Sequence, residues 1–503
     1  MLRTGFALLL LLVTVLMGVN SVTRIRQFTP DSMAYVDAAR NLNAGRGLSS
    51  STAGLNQFHL RIAPAIPVPF TSYAPLYPVF IAAVARLGLE AADAALLVSV
   101  LGWLLVLVLG YVLARRLWSE AAAWLAVAVL LVYAPLQEAS HVAWSEPLAL
   151  AFLLSCLLLL AGGRLPALAG ACAGLAFATR YAFVPLLLLG PLLLLARRRF
   201  RDAALFAGAA FVPVTVVVLR NRVLEGKALP GAPGSGSSVL GNLGEAVRVL
   251  SGMFIARFAW PVEALVLLAV VALALFVAWR RDGTPRPALV RAFGGDAALL
   301  GAWCLGYLAF LVAVRSLRNF DPIDMRLVLP AGVAFVLLLC GFLAEGFRVT
   351  REGAAVVLLL SIAFVGLREV RNLRRDPVRT TASEIAASER LTWIARNTTP
   401  RDLVIGDNAV DVSFYTGRHA IAFSPYPFTD FASEERVRAW AAAHRGDHDR
   451  YWIVLSRRYD RVEDWETHFG PWFGRLAAGT DTGLGPPTRL KDAIVYAYDP
   501  ERK

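Results

Sequence analysis

Long apolar runs alternate along the chain with short polar intervals rich in arginine. Runs at about 5–22, 94–114, 120–134, 147–162, 165–181, 183–196, 203–219, 261–279, 298–314, 327–345 and 353–368 each approach the length a hydrocarbon core requires, and they predict about eleven transmembrane helices. The count turns on the shortest of them, 120–134 and 183–196. Residues 23–93 make a loop too long for a simple connection. Within it, 32–44 reads as a short helix on the bilayer surface and the stretch to Leu87 as an apolar segment packed along the interface. A second long loop, 220–260, carries Gly231-Ala232-Pro233-Gly234-Ser235-Gly236-Ser237-Ser238, whose glycines and serines predict a mobile segment ordered by a ligand. From about 370 the pattern turns polar: 383–396 and 434–444 read as helices, and 402–405, 451–455 and 493–498 as strands. The expected architecture is a polytopic α-helical membrane domain, residues 1–369, followed by a small extracytoplasmic α/β domain, residues 370–503.

Composition supports that reading, since 57% hydrophobic and only 17% charged residues over 503 positions exclude one soluble globular domain. A net charge of +13 raises the question of nucleic acid. The arginines, however, cluster at the ends of apolar runs, as topology determinants do, so membrane lipids are the expected partner and nucleic acid is not. Arg3, Arg115-Arg116, Arg164, Arg197-Arg198-Arg199 with Arg201, Arg280-Arg281 with Arg286 and Arg291, and Arg348 with Arg351 all fall on one side. That side is the cytoplasm, and the N-terminus with it. The loops 23–93, 135–146, 220–260 and 315–326 and the tail then lie outside the cytoplasmic membrane. The first run lacks a small-residue cleavage site and reads as a retained anchor. Cys156, Cys172, Cys304 and Cys340 all fall in apolar runs, which indicates neither a disulfide framework nor a cysteine metal site.

Polar residues at membrane depth are costly, so their placement is informative. They gather on the outer side. Asp31, in Thr29-Pro30-Asp31-Ser32-Met33-Ala34-Tyr35, follows the first span; as a bland alternative it caps the helix after it. His141 and Glu146 stand in His141-Val142-Ala143-Trp144-Ser145-Glu146-Pro147, where a capped helix start, with Ser145 as the cap, would also explain the acid. Arg180-Tyr181 interrupts an apolar run, and it either snorkels or meets an anion. Arg220-Asn221 ends a span against the positive-inside tendency, and Asp321-Pro322-Ile323-Asp324-Met325-Arg326 precedes another. Carboxylates and guanidinium groups on one face suit transfer of a group from a phosphate leaving group to a hydroxyl. The carboxylate takes the acceptor's proton, and the cations stabilise the departing phosphate.

These residues resemble the GT-C superfamily of membrane glycosyltransferases, including the polyprenyl-phosphate-dependent transferases related to protein O-mannosyltransferases and to the lipid A aminoarabinose transferases. The resemblance runs in order through Asp31 and Tyr35, Ala38-Ala39-Arg40-Asn41-Leu42 to Gly45-Arg46-Gly47, Tyr73-Ala74-Pro75-Leu76-Tyr77-Pro78, Ser145-Glu146-Pro147, Thr179-Arg180-Tyr181, Arg220-Asn221 and Met325-Arg326-Leu327 to Pro330. In the tail it includes Trp393-Ile394-Ala395-Arg396-Asn397-Thr398-Thr399-Pro400 and Tyr415-Thr416-Gly417-Arg418. It implies a polyprenyl-phosphate sugar donor, a glycan, lipid or protein acceptor presented outside, and inversion with Asp31 as general base. It also implies Glu146 as a second acidic site residue and Arg326 as a phosphate ligand; Arg180 and Arg220, on the same outer face, are candidate phosphate ligands by their location at headgroup depth. Tyr35, Tyr73, Tyr77, His141, Tyr181 and Asn221 are candidates for substrate binding. Many members carry a second acidic residue directly after the Asp; here the neighbour is Ser32, which bears on a protein acceptor and leaves a divalent metal cofactor open. A transporter or flippase for a lipid-linked or anionic substrate is the main alternative. The lack of internal repeats and the gathering of polar residues at one face count against it. A structural or sensory protein whose outer domain binds a partner is the third, and it would need no buried arginines.

Overall fold

The computed structural model describes residues 2–53, 66–163, 165–229, 235–253, 260–282, 286–318, 322–422, 446–456, 471–480 and 484–499, with 435, 438 and 442. Along them run helices α1 (Leu2–Asn20), α2 (Pro30–Asn43), α3 (Leu76–Ala85), α4 (Ala91–Leu117), α5 (Glu120–Val132), α6 (Ala134–His141), α7 (Glu146–Gly162), α8 (Pro166–Thr179), α9 (Val184–Ala196) and α10 (Phe200–Glu225). There follow α11 (Val239–Gly252), α12 (Trp260–Asp282), α13 (Arg286–Phe293), α14 (Ala298–Leu317), α15 (Met325–Phe347), α16 (Arg351–Arg375), α17 (Thr381–Ala387), α18 (Glu389–Asn397), α19 (Ala409–Thr416) and α20 (Pro471–Ala478). The strands are β1 (Ser49–Ser50), β2 (Thr52–Ala53), β3 (Val68–Pro69), β4 (Leu403–Gly406), β5 (His419–Ala422), β6 (Tyr451–Ser456), β7 (Thr488–Arg489) and β8 (Ala493–Tyr498).

Each expected apolar run coincides with a helix. Among the described residues, six stretches are long and apolar enough to cross a membrane: Thr4–Ile25, Ala91–Leu117, Phe200–Glu225, Gly295–Leu317, Met325–Phe347 and Arg351–Arg375. A seventh arises if α5 and α6, bent by 58° at Tyr133, count as one. Glu146–Gly162, Pro166–Thr179 and Tyr181–Ala196 are shorter apolar helices. Proline and glycine explain the shortness. α8 and α9 open on prolines, and α7 ends on Gly163 at φ 65°, a left-handed conformation that glycine adopts without strain. At the α5–α6 bend, Pro135 lacks the N–H that would bond the Leu131 carbonyl, and the Gln137 side-chain amide donates to that oxygen instead. The interval 135–146, expected as a loop, is therefore mostly α6.

The chain falls into two compact units: residues 1–27, 96–220 and 232–377, and residues 28–95, 221–231 and 378–503. In the first, α15 is buried continuously from Leu327 to Ala334 and packs against α5, α11, α12, α13 and α14, while α16 packs on α1 and α5. Small residues bring helices close. A Cβ on Gly170 would lie 2.0 Å from the Phe206 carbonyl oxygen and one on Gly174 2.7 Å from that of Ala210, so this G-x-x-x-G pair sets α8 against α10.

The second unit holds a six-stranded sheet in the order β2-β5-β4-β6-β8-β7, parallel from β2 to β6 and antiparallel through β8 and β7. Its strands β4, β6 and β8 lie where the polar tail predicts them, but β2 comes from the first long loop and pairs Thr52 with Ala420. The loop and the tail thus form one folded unit, and the tail's share begins at Val378. The expected helix 383–396 is two helices, α17 and α18, parted at Ser388. α19, β5, α20 and β7 were not anticipated; the helix at 434–444 lies largely outside the described residues. In the 220–260 loop, Ser235 and Ser237 bond the end of α14, through Ser235 N to Leu317 O (3.4 Å) and Ser237 Oγ to Arg315 O (2.9 Å), and α11 follows where irregular chain was expected. Residues 230–234 and Asp321 lie outside the described residues.

Candidate active site

Three helix ends of the first unit carry the group with the clearest chemistry. Glu146 opens α7, Arg180 follows the last residue of α8 in extended backbone, and Arg326 stands in the first turn of α15, whose N-cap Asp324 accepts the Leu327 N–H at 2.8 Å. The Glu146 carboxylate is fully buried. Its Oε1 accepts from Arg180 Nη1 at 3.0 Å and from Arg326 Nε. Ser145 makes no side-chain cap; its hydroxyl faces Glu146 Oε2 at 3.5 Å. A carboxylate flanked by two guanidinium groups is more than a helix start favoured by a dipole. One negative and two positive charges leave the trio itself at +1, with the Asp324 carboxylate in reach of the same Tyr307.

Neighbouring side chains fix the trio. The Arg326 guanidinium lies 4.7 Å from the centroid of the Trp144 ring. Trp144 is itself held from α4, where Ser99 Oγ donates to its carbonyl at 2.9 Å. One turn on, a Cβ at Gly102 would meet Leu148 N at 2.8 Å, so only glycine lets α4 approach the start of α7 this closely. Tyr307 of α14 is fully buried within electrostatic reach of Arg180, Glu146 and Asp324, and its hydroxyl has no hydrogen-bond partner among the described residues. The sequence reading misses Tyr307, although a tyrosine inside an otherwise apolar span is the signal that would have found it.

His141 belongs to a second buried network in the same unit. Its Nδ1 meets Ser21 Oγ at 2.8 Å, in a π turn (Ser21–Ile25) that ends α1, and its Nε2 lies 3.8 Å from Glu369 Oε1. Glu369, unforeseen in sequence because it sits among arginines at the end of α16, accepts from Asn20 Nδ2 (2.6 Å) and Arg368 Nη2 (2.6 Å). Tyr181 is half-buried, its ring 5.4 Å from that of Phe177. Arg220 lies half-buried near the end of α10.

In the second unit, Thr29 and not Asp31 is the N-cap of α2, accepting the Ser32 N–H at 3.4 Å with Pro30 in the first turn. Asp31 accepts the Tyr73 hydroxyl at 2.8 Å and is only half-buried. Tyr73 stands in an aromatic cluster, 5.3 Å from Tyr35 and 5.7 Å from Phe70, with Tyr77 5.0 Å from Tyr35. Tyr35 and Tyr77 are buried, and Tyr77 donates to the Ala95 carbonyl at 3.1 Å; these two build the floor under Tyr73. Two turns along α2, Asp37 accepts Ser51 N (2.6 Å) and Ser50 Oγ (3.2 Å), and burial pushes its carboxyl above the usual range despite those bonds. Asn221 is buried and donates to Ala228 O at 3.3 Å, bracing its own loop. Among the described residues no three His, Cys, Asp or Glu side chains stand together as metal ligands.

No known family model matches the chain, and no curated protein matches it in sequence. Solved structures do. The aminoarabinose transferase ArnT from Cupriavidus metallidurans, bound to undecaprenyl phosphate, superposes with a TM-score of 0.59 at 15% identity, covering 98% of both chains. The chain has the GT-C fold. The apo state of the same ArnT matches equally, with a TM-score of 0.59. The arabinofuranosyltransferase AftD from Mycobacteria matches with a TM-score of 0.55 at 15% identity, over 99% of this chain and 40% of AftD. With its apolar spans, the chain is a multi-pass membrane protein.

Proposed function

We propose that this protein is a membrane glycosyltransferase that moves a sugar from a polyprenyl-phosphate donor to a hydroxyl acceptor on the outer face of the cytoplasmic membrane. The observation that carries the reading is the buried carboxylate of Glu146 with Arg180 and Arg326 on one of its oxygens. A spanning protein that keeps such a group buried has a use for it, and cations beside an undonated tyrosine hydroxyl suit a phosphate. That ArnT, of like fold, holds undecaprenyl phosphate supports the same ligand class here. In the reaction, Asp31 takes the proton of the acceptor hydroxyl as its oxygen attacks the anomeric carbon. The bond from that carbon to the phosphate oxygen breaks on the opposite face, so configuration inverts and the electron pair leaves on polyprenyl phosphate. The role proposed for Arg180 and Arg326 is to stabilise charge on a departing phosphate. Glu146, already paired to both, orients them. Tyr73 holds the Asp31 carboxylate in place through its hydroxyl.

Asp31→Asn tests the assignment, because the amide keeps size and polarity and cannot take the proton. Turnover with a labelled polyprenyl-phosphate sugar should fall by about 100-fold or more, with unchanged binding of undecaprenyl phosphate. Near-normal turnover would remove Asp31 as base.

A further inference from the structure

α11 lies between two apolar helices, and its surface divides into three lengthwise sectors at 3.6 residues per turn. Asn242 and Ala246, 4% and 2% exposed, share the sector that packs on α14 and α15. There Asn242 Nδ2 donates to Ser316 Oγ at 2.8 Å and to Ser237 Oγ at 3.1 Å. Val239, Leu240, Leu243 and Val247 form the adjoining sector and are 59%, 81%, 48% and 56% exposed. Glu245 and Arg248 make up the third, with Arg248 Nη2 3.7 Å from Glu245 Oε1.

One face on protein, one bare apolar face and one charged face suit a helix lying in the plane of a membrane surface. Surrounded by water, α11 would leave four large aliphatic side chains bare. Set across the bilayer, its 14 residues would be too few and would carry Glu245 and Arg248 into hydrocarbon. α11 also packs on α12, whose Leu268, Leu273 and Phe276 are exposed in turn, as side chains facing acyl chains would be. On its charged side, Glu245 Oε2 accepts the Ile323 N–H at 3.4 Å. Ile323 directly precedes Asp324, the cap of the helix whose first turn carries Arg326.

We propose that α11 is seated in the bilayer surface, with Leu240, Leu243 and Val247 among lipid acyl chains, and that through Glu245 this seating holds the start of α15 and so the position of Arg326. The seating stands independently of the proposed function; only the ligand of Arg326 rests on that reading.

The test uses the full protein in nanodiscs of phosphatidylcholine and phosphatidylglycerol. Single cysteines replacing Leu240, Leu243 and Arg248, in a background without the native cysteines, are spin-labelled and read by access to oxygen and to a nickel chelate. Oxygen access should dominate at 240 and 243, and nickel access at 248. Val247→Cys replaces the Leu240 variant should that one fail to insert. Nickel access at all three positions would overturn the seating. Shielding of 240 and 243 from both reagents would overturn it too, by showing a protein segment or second copy on that face. For the link, Glu245→Ala should speed hydrogen exchange of the Ile323 amide by about fivefold while leaving α16 unchanged; wild-type exchange there would overturn the link. Nanodiscs that show the seating yet bind no undecaprenyl phosphate would support the seating and overturn the donor reading.

Discussion

At the residue scale, Glu146 is the test of whether the site is built for an anion. Glu146→Gln would leave two guanidinium groups beside each other without the buried carboxylate between them, a loss expected to cost about 3 kcal/mol of stability. Bound undecaprenyl phosphate should restore part of it, because a phosphate supplies the missing negative charge. Thermal unfolding with and without that ligand checks both effects. A variant as stable as wild type but deaf to the ligand would return Glu146 to a direct chemical role. The sequence shows each member of this group, since a charge at the edge of an apolar run is conspicuous. It does not show the pairing: Glu146 and Arg326 are 180 positions apart, and nothing local says they meet. Asp31 illustrates the converse, because a capping acid and a poised acid look alike in sequence, and only Thr29 taking the cap leaves the Asp31 carboxylate for Tyr73.

At the scale of elements, close backbone approach decides where the charged ends stand. Gly102→Ala places a methyl group 2.8 Å from Leu148 N and 2.9 Å from the Pro147 carbonyl carbon, and neither backbone atom can step aside alone. The start of α7 should shift, with a stability loss of about 1–3 kcal/mol and a fall of roughly tenfold in undecaprenyl phosphate affinity. Gly208→Ala, whose added Cβ would have nothing within 4 Å, is the matched control and should leave both unchanged. Equal behaviour of the two variants in a ligand-binding titration would mean that α4 does not set the site. Apolar periodicity made the helices legible, and β-rich tail segments made β4, β6 and β8 legible. It could not reveal the bend at Tyr133, which depends on one proline and on the glutamine that satisfies the carbonyl that proline leaves. Nor could it reveal α11, whose apolar residues are too few for a span and whose opening serines look irregular.

For the whole molecule, the division by composition at 370 misses a partner that composition cannot supply. β2 joins β5 across more than 360 positions of chain, so the first long loop and the polar tail fold as one unit. If the clustered arginines mark the cytoplasmic side, that unit lies outside. Arg396→Cys, exposed on α18, should then react with an impermeant thiol reagent in intact cells, or after outer-membrane permeabilisation where the host has one. Protection in a well-expressed variant would reverse the orientation. Orientation in turn decides the donor, because nucleotide sugars are cytoplasmic and a lipid-linked donor can be used at the outer leaflet. The central claim is therefore tested most directly by offering the purified, reconstituted protein a labelled polyprenyl-phosphate sugar and, separately, a labelled nucleotide sugar, with the same acceptor extract. Transfer from the lipid-linked donor, lost in Asp31→Asn, is the predicted result; transfer from the nucleotide sugar with no polyprenyl lipid present would contradict it.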